Sequence, residues 1–187
     1  MSIRKLNFKL LCAALAVTSC TAVRLTTFKD PDFAKRRFKK TAIVADLGDL
    51  ERNRRVEARV IQVLSEEDAE AVAGSLLLLP TRTYSRQEQD SLFAAYGIDG
   101  CVSIKLLEYG TIAVEAGAAE QVFCEFHVLL REIESGRVAW VADSHARNRF
   151  TTAIPEYDLN RLLDTFAEKL ARKLLDEGLV QYASKPK

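Results

Sequence analysis

The chain has 187 residues, a formal charge of +1 at pH 7, and 48% hydrophobic and 28% charged residues. This composition excludes a disordered chain, and the near-neutral charge excludes the broad electrostatic grip that nucleic acid demands. No apolar run reaches the length of an ordinary membrane-spanning helix.

Met1 to Lys9 carries Arg4, Lys5 and Lys9 and no acid, and Leu10 to Val17 (LLCAALAV) is a short apolar stretch leading to Thr18, Ser19 and Cys20. A basic lead, a short apolar segment and small residues before a cut are the parts of a secretory signal. The apolar segment is too short to span as an uncleaved anchor. Val17-Thr18-Ser19-Cys20 resembles the bacterial lipobox, with valine replacing leucine and threonine replacing alanine or serine. An ordinary secretory signal followed by an incidental cysteine is the alternative. The resemblance implies that residues 1–19 are a lipoprotein signal peptide, that Cys20 is the lipid-attachment site, and that its acyl chains form the membrane partner. Each buried methylene contributes about 0.8 kcal/mol, so several chains hold where one would not. By the same resemblance, Thr21 in place of aspartate implies the outer membrane, facing the periplasm, rather than the inner one. Cleavage before Cys20 removes 19 residues and three cations, taking the formal charge from +1 to −2. What remains suits a single domain with its own core.

Residues 20–40 read as a lipidated connector. Phe28, Phe33 and Phe38 flank Asp30-Pro31-Asp32, and the basic run Lys35, Arg36, Arg37, Lys39 and Lys40 follows. The phenylalanines are expected to pack on the domain with the basic residues solvated; docking of the basic run on anionic head groups is the alternative. Residues 41–180 read as a single α/β domain, and 181–187 as a tail.

Thr41 to Asp46 is an apolar run expected as a buried strand. Asp49 is placed to cap a helix in which Val56, Val60, Val63 and Leu64 form one stripe. Glu70 to Leu79, ending at Pro80, reads as a second strand, and Ser85-Arg86-Gln87-Glu88 is a capping box ahead of Leu92, Phe93 and Tyr96, with Gly97 as the stop. Gly100 to Tyr109, Gln121 to Glu132 and Val138 to Arg147 then read as three consecutive strands, and 157–177 as a final helix carrying Leu159, Leu162, Leu163, Phe166, Leu170 and Leu174. The expected order is β-α-β-α-β-β-β-α: one mixed sheet of about five strands with three helices, α/β (α+β) in class. A hairpin closing around residues 110–120 sets Cys124 opposite a residue near 106. Cys101 then lies beyond disulfide reach, and two free, mostly buried thiols are expected.

Phe38-Lys39-Lys40-Thr41-Ala42-Ile43-Val44, the Arg- and Glu-rich helix after it, and Tyr96-Gly97-Ile98-Asp99-Gly100-Cys101-Val102 are similar in pattern to a group of bacterial lipoproteins built on a small α/β domain. The group includes the amino-terminal domain of TolB, the curli-secretion lipoprotein and lipoprotein activators of peptidoglycan synthases. The resemblance implies an accessory, interaction or assembly role in the cell envelope, with an envelope protein or a second copy of the chain as partner. One member of the group forms a pore with membrane-spanning hairpins. The Gly110 to Glu120 connection, at 11 residues, is too short for two spanning strands.

Chemistry is sparse along the chain. His127 and His145 show no metal-ligand spacing, and Cys124 and His127 fall on opposite faces of one strand, so no metal or cofactor is expected. Asp143 and His145 share a face, and with Ser103 or Ser144 they outline a Ser-His-Asp set lacking a nucleophile elbow. Asp46 lies at the carboxyl end of the first strand, where α/β folds hold ligands. Trp140 reads as core. Arg54, Arg55 and Arg59 are the candidate partner surface, against the alternative of a solvated helix face with internal ion pairs. The leading expectation is a non-catalytic assembly lipoprotein. The alternative is a small-ligand binder or hydrolase with a pocket near Asp46 or near Asp143 and His145.

Overall fold

The computed structural model describes residues 21–113, 120–148 and 155–182. Residues 1–19, read as a signal peptide, Cys20 and residues 183–187 of the expected tail lie outside the described residues. Six strands form one mixed sheet: β1 (Thr21–Lys29), β2 (Lys40–Asp46), β3 (Glu70–Ala73), β4 (Gly100–Ala113), β5 (Glu120–Glu132) and β6 (Val138–Asn148). The helices are α1 (Leu50–Glu66), α2 (Gly74–Leu77), α3 (Arg86–Ala95) and α4 (Pro155–Asp176). The sheet order is β1-β6-β5-β4-β2-β3, with β2 parallel to both β3 and β4 and every other pair antiparallel.

The expected five strands and three helices are therefore corrected to six and four. The added strand is β1, within the segment read as a connector; it lies antiparallel to β6 along its whole length, from Thr21 opposite Asn148 to Lys29 opposite Trp140. After it, Phe33 and Phe38 are buried whereas Phe28 is 66% exposed. The added helix is α2. The leucine run 76–79 does not continue β3, because the chain turns at Gly74, where a Cβ would stand 2.6 Å from Val44 Cγ2.

A larger core lies between one face of the sheet and α1 with α4. Val56, Val60, Val63 and Leu64 of α1 meet Leu162, Phe166 and Leu170 of α4 over Val102, Val128 and Trp140. Phe126 and Phe166 stack with ring centroids 3.9 Å apart. A smaller core on the opposite face gathers Ala42, Phe93, Ile98, Cys101 and Ile133 beneath α3. Local signals hold where expected: Asp49 accepts from Arg52 N–H, and Ser85 and Glu88 close the capping box. Asp99 has a structural role, its carboxylate accepting the N–H groups of Lys39 and Lys40 at 3.0 Å each where β2 begins.

The β4–β5 hairpin is longer than expected, its ladder running on to Ala113 opposite Glu120. The ladder is registered two positions later than expected, and a shift between Leu106 and Glu108 that leaves Leu107 bulged adds a third, so Cys124 faces Tyr109 rather than a residue near 106. Cys101 and Cys124 are free and buried, in different cores. Burial pushes the Cys124 thiol up to about 12, and it raises Cys101 as well, so both resist becoming reactive thiolates. No helix among the described residues is long and apolar enough to cross a membrane.

Candidate functional site

Four places carry candidate residues: the start of β1, the outer face of α1, the uncovered face of the sheet, and the carboxyl end of β2. Cys20 itself lies outside the described residues. Its neighbour Thr21 is already the first residue of β1, so no flexible run separates that position from the sheet.

Two of the three candidate arginines are committed within the chain. Arg55 holds Asp164 of α4 through Nε at 2.8 Å and Nη2 at 2.6 Å, a bidentate geometry whose hydrogen bonds raise its pKa further. Arg59 holds Glu168 at 3.0 Å, and Glu168 is drawn below the usual carboxylate range by the hydrogen bonds of Arg172 and Arg59. Arg54 is exposed and has no ion pair or hydrogen bond among the described residues. The arginine face thus fastens α1 to α4 and leaves one of the three cations to solvent.

The uncovered sheet face pairs its histidines across strands. His127 Nδ1 lies 2.7 Å from Asp143 Oδ1, and His145 Nδ1 lies 3.0 Å from Glu125 Oε1. These are direct ladder partners, His127 opposite Asp143 and Glu125 opposite His145. Each imidazole is therefore oriented by the acid facing it, and Asp143 and His145 do not act on one another. Ser144 is buried, with its hydroxyl unpartnered, on the helix-covered side of β6, and Ser103 contacts Cys101 Sγ at 3.6 Å. The structure assembles no Ser-His-Asp relay from these residues. Among the described residues, no three His, Cys, Asp or Glu side chains converge as a metal site.

The carboxyl end of β2 is different. The connection leaving β2 runs to α1 on one face of the sheet, and the connection leaving β3 runs to α3 on the other. Between such diverging connections an open α/β sheet forms a crevice. Here it is a cleft of about 530 Å³ lined by Asp46, Leu50, Asn53, Glu57, Leu79 and Tyr84 among others. Glu57, 1% exposed, shapes it: its carboxylate accepts Ala45 N–H at 3.0 Å and Ser75 N–H at 3.1 Å, tying the end of β2 to the first turn of α2. Sequence reasoning passed over Glu57. Its signal was a glutamate beside Val56 and one turn from Val60 in an otherwise apolar stripe. Asp46 lines the cleft and remains exposed.

No family model matches the chain, and no curated protein matches it. Among solved structures it is similar to the PelC dodecamer from Paraburkholderia phytofirmans, at 14% identity and a TM-score of 0.51, over 87% of this chain and 99% of that one. A point variant of the PelC dodecamer from the same organism gives 14% identity and a TM-score of 0.50 over 80% of this chain and 96% of that one. Lipoprotein GNA1162 from Neisseria meningitidis is a more distant likeness, at 14% identity and a TM-score of 0.46 over 73% of this chain and 99% of that one. At these identities the likeness concerns the fold: this chain has the fold of the PelC subunit.

Proposed function

We propose that the protein is a lipoprotein of the bacterial cell envelope, anchored through acyl chains on Cys20 in the outer membrane with its domain facing the periplasm. It acts there without catalysis, as an interaction or assembly factor that associates with itself or with an envelope protein. The carrying observation is the join between Cys20 and β1: the lipobox-like segment ends one residue before an edge strand, so the anchor is built into the domain's rim. Self-association draws support from two sources. PelC, which shares the fold, is described as a dodecamer. β1 is also an edge strand whose outer side offers backbone donors and acceptors, apart from Val23 O, which accepts from Lys169 Nζ at 3.0 Å. The wider kinship with the TolB amino-terminal and curli-secretion group rests on the sequence pattern.

The test follows Cys20→Ala and wild type through metabolic palmitate labelling, membrane fractionation and native mass spectrometry. Wild type is expected to take up label, to fractionate with the membrane and to run as an oligomer. Cys20→Ala is expected to lose the label and the membrane while keeping its fold. A soluble, unlabelled wild type would overturn the anchor; a labelled monomer without co-purifying protein would overturn the assembly role.

A second reading, a small-ligand binder, has one observation in its favour: the cleft at the diverging ends of β2 and β3. A compound that raises the melting midpoint of wild type but not of Asp46→Ala would establish it.

A further inference from the structure

Four strand ends meet where β1 begins. Ala22 lies opposite Arg147, Arg147 opposite Phe123, and Phe123 opposite Gly110, so these residues form one row across β1, β6, β5 and β4. Thr21 opposes Asn148 and Thr111 opposes Val122, one step further along. From there the hairpin continues alone: Ile112 opposite Gln121, then Ala113 opposite Glu120. At roughly 3.4 Å per residue, the described strands overshoot the level of Thr21 by about 7 Å. Cys20 adds only one residue to Thr21, a reach of about 3.5 Å.

We infer that the β4–β5 hairpin end is a second membrane contact, seated directly in the lipid interface beside the anchor. The inference rests on acylation of Cys20, and it adds a surface and an orientation to that reading. With acyl chains at Cys20 there is no slack in which the domain could stand away from the bilayer. The hairpin reaches at least as far as the anchor, so its end lies at the lipid surface.

The side chains suit that position. Ile112, the outermost described apolar side chain, is 43% exposed, and Tyr109, three residues back along β4, is 55% exposed. An aliphatic residue outermost with a tyrosine behind it matches the ordering of the lipid boundary, where tyrosine takes the head-group level. Arg52 lies over the Tyr109 ring at 5.9 Å, and Arg147 is exposed in the Ala22 row; both offer guanidinium groups at phosphate depth. Along the two hairpin strands the acids at this end are Glu120, opposite Ala113, and then Glu108 and Glu125, one step further from the tip than Tyr109 and in the row of His145. The opposite end of the sheet is more highly charged, carrying the ion pairs of Arg36 with Glu132 and of Arg137 with Asp30 and Asp32 beside the exposed Phe28.

The experiment uses the full-length chain, purified from membranes and reconstituted into phosphatidylethanolamine–phosphatidylglycerol vesicles. Ile112→Cys and, at the opposite end, Ser135→Cys are each labelled with an environment-sensitive nitrobenzoxadiazole dye; buried Cys101 and Cys124 stay unlabelled. The Cys20 peptide is checked for acyl mass in the same samples. The expected result is that brominated lipid quenches the Ile112 probe about twofold or more, with a blue-shifted emission, and leaves the Ser135 probe unchanged. Equal quenching at both positions with acylated Cys20 would overturn the contact and leave the anchor standing. An unacylated Cys20 would overturn the anchor, and the contact with it.

Discussion

Where β1 leaves the sheet, several charged groups are tied to one another, although Phe28 beside them stays 66% exposed. Asp99 holds two backbone N–H groups, Arg36 reaches Glu132 at 3.1 Å, Arg137 pairs with Asp30 and Asp32, and Phe38 bridges to Val180 past the end of α4. Where β1 begins, the hairpin instead carries Tyr109 and Ile112 in the open. The two ends are made of the same strands, so backbone pairing does not distinguish them. The first end is laced by the chain's own ion pairs; the second carries no ion pair at Tyr109 or Ile112 among the described residues.

The sharpest way to break this contrast is a pair of aromatic truncations. Phe38→Ala, at a side chain 1% exposed with the Gly100 backbone packed beneath it, is expected to cost about 3–5 kcal/mol in urea denaturation. Tyr109→Ser should change the same measurement by less than about 0.5 kcal/mol. Comparable losses at both positions would mean that the hairpin end is core after all.

Glu177 gives a smaller, pH-dependent effect. Burial pushes its carboxyl up, but the donors outweigh it: Thr27 Oγ1 at 2.8 Å, Lys173 at 3.0 Å and Trp140 Nε1 at 2.6 Å hold the pKa below the usual range. A lowered native pKa means that the stabilisation is complete above the unfolded carboxylate range and is lost as pH falls through the native value. Wild type and Glu177→Gln should therefore differ most in urea midpoint at neutral pH and converge in acid. A gap that persists at low pH would assign the effect to packing.

The smallest effect belongs to Arg137→Ala. Its acidic partners Asp30 and Asp32 lie on the exposed 3-10 turn after β1, and its guanidinium sits 5.1 Å from the Phe33 ring centroid. A slight fall in melting midpoint at low salt should vanish in high salt.

The sequence made the local elements legible: the Asp49 cap, the Ser85–Glu88 box, the α1 and α4 stripes and the alternation of β5 are each written within a few residues. β1 was legible in part. Thr21, Val23, Thr26 and Thr27 are good strand formers, but a half-exposed edge strand beside a lipobox-like segment reads as a tether, since only the Val23 side chain of its nine is buried. α2 was illegible because its cause is distant: Glu57, on α1, supplies the acceptor for Ser75 N–H, and Gly74 yields to Val44. The candidate arginines were correctly placed on one helix face. Their partners Asp164 and Glu168 lie more than a hundred positions away, and no window of sequence brings them together. The cleft was anticipated through Asp46 alone, because its shape depends on the divergence of two connections.

That β1 is a strand rather than a tether also has a mechanical consequence. On the proposed reading, in which Cys20 carries the anchor, a pull through it acts along the axis of β1, against a sheet held by whatever the domain binds. The load falls in shear on the whole β1–β6 ladder at once, from Thr21 to Lys29, instead of peeling its hydrogen bonds one after another. Glu177 and Lys29 brace the far end of that ladder, through Thr27 and the Glu177 carbonyl. An anchor at Cys20, as proposed, would transmit force into the domain without surrendering its first strand.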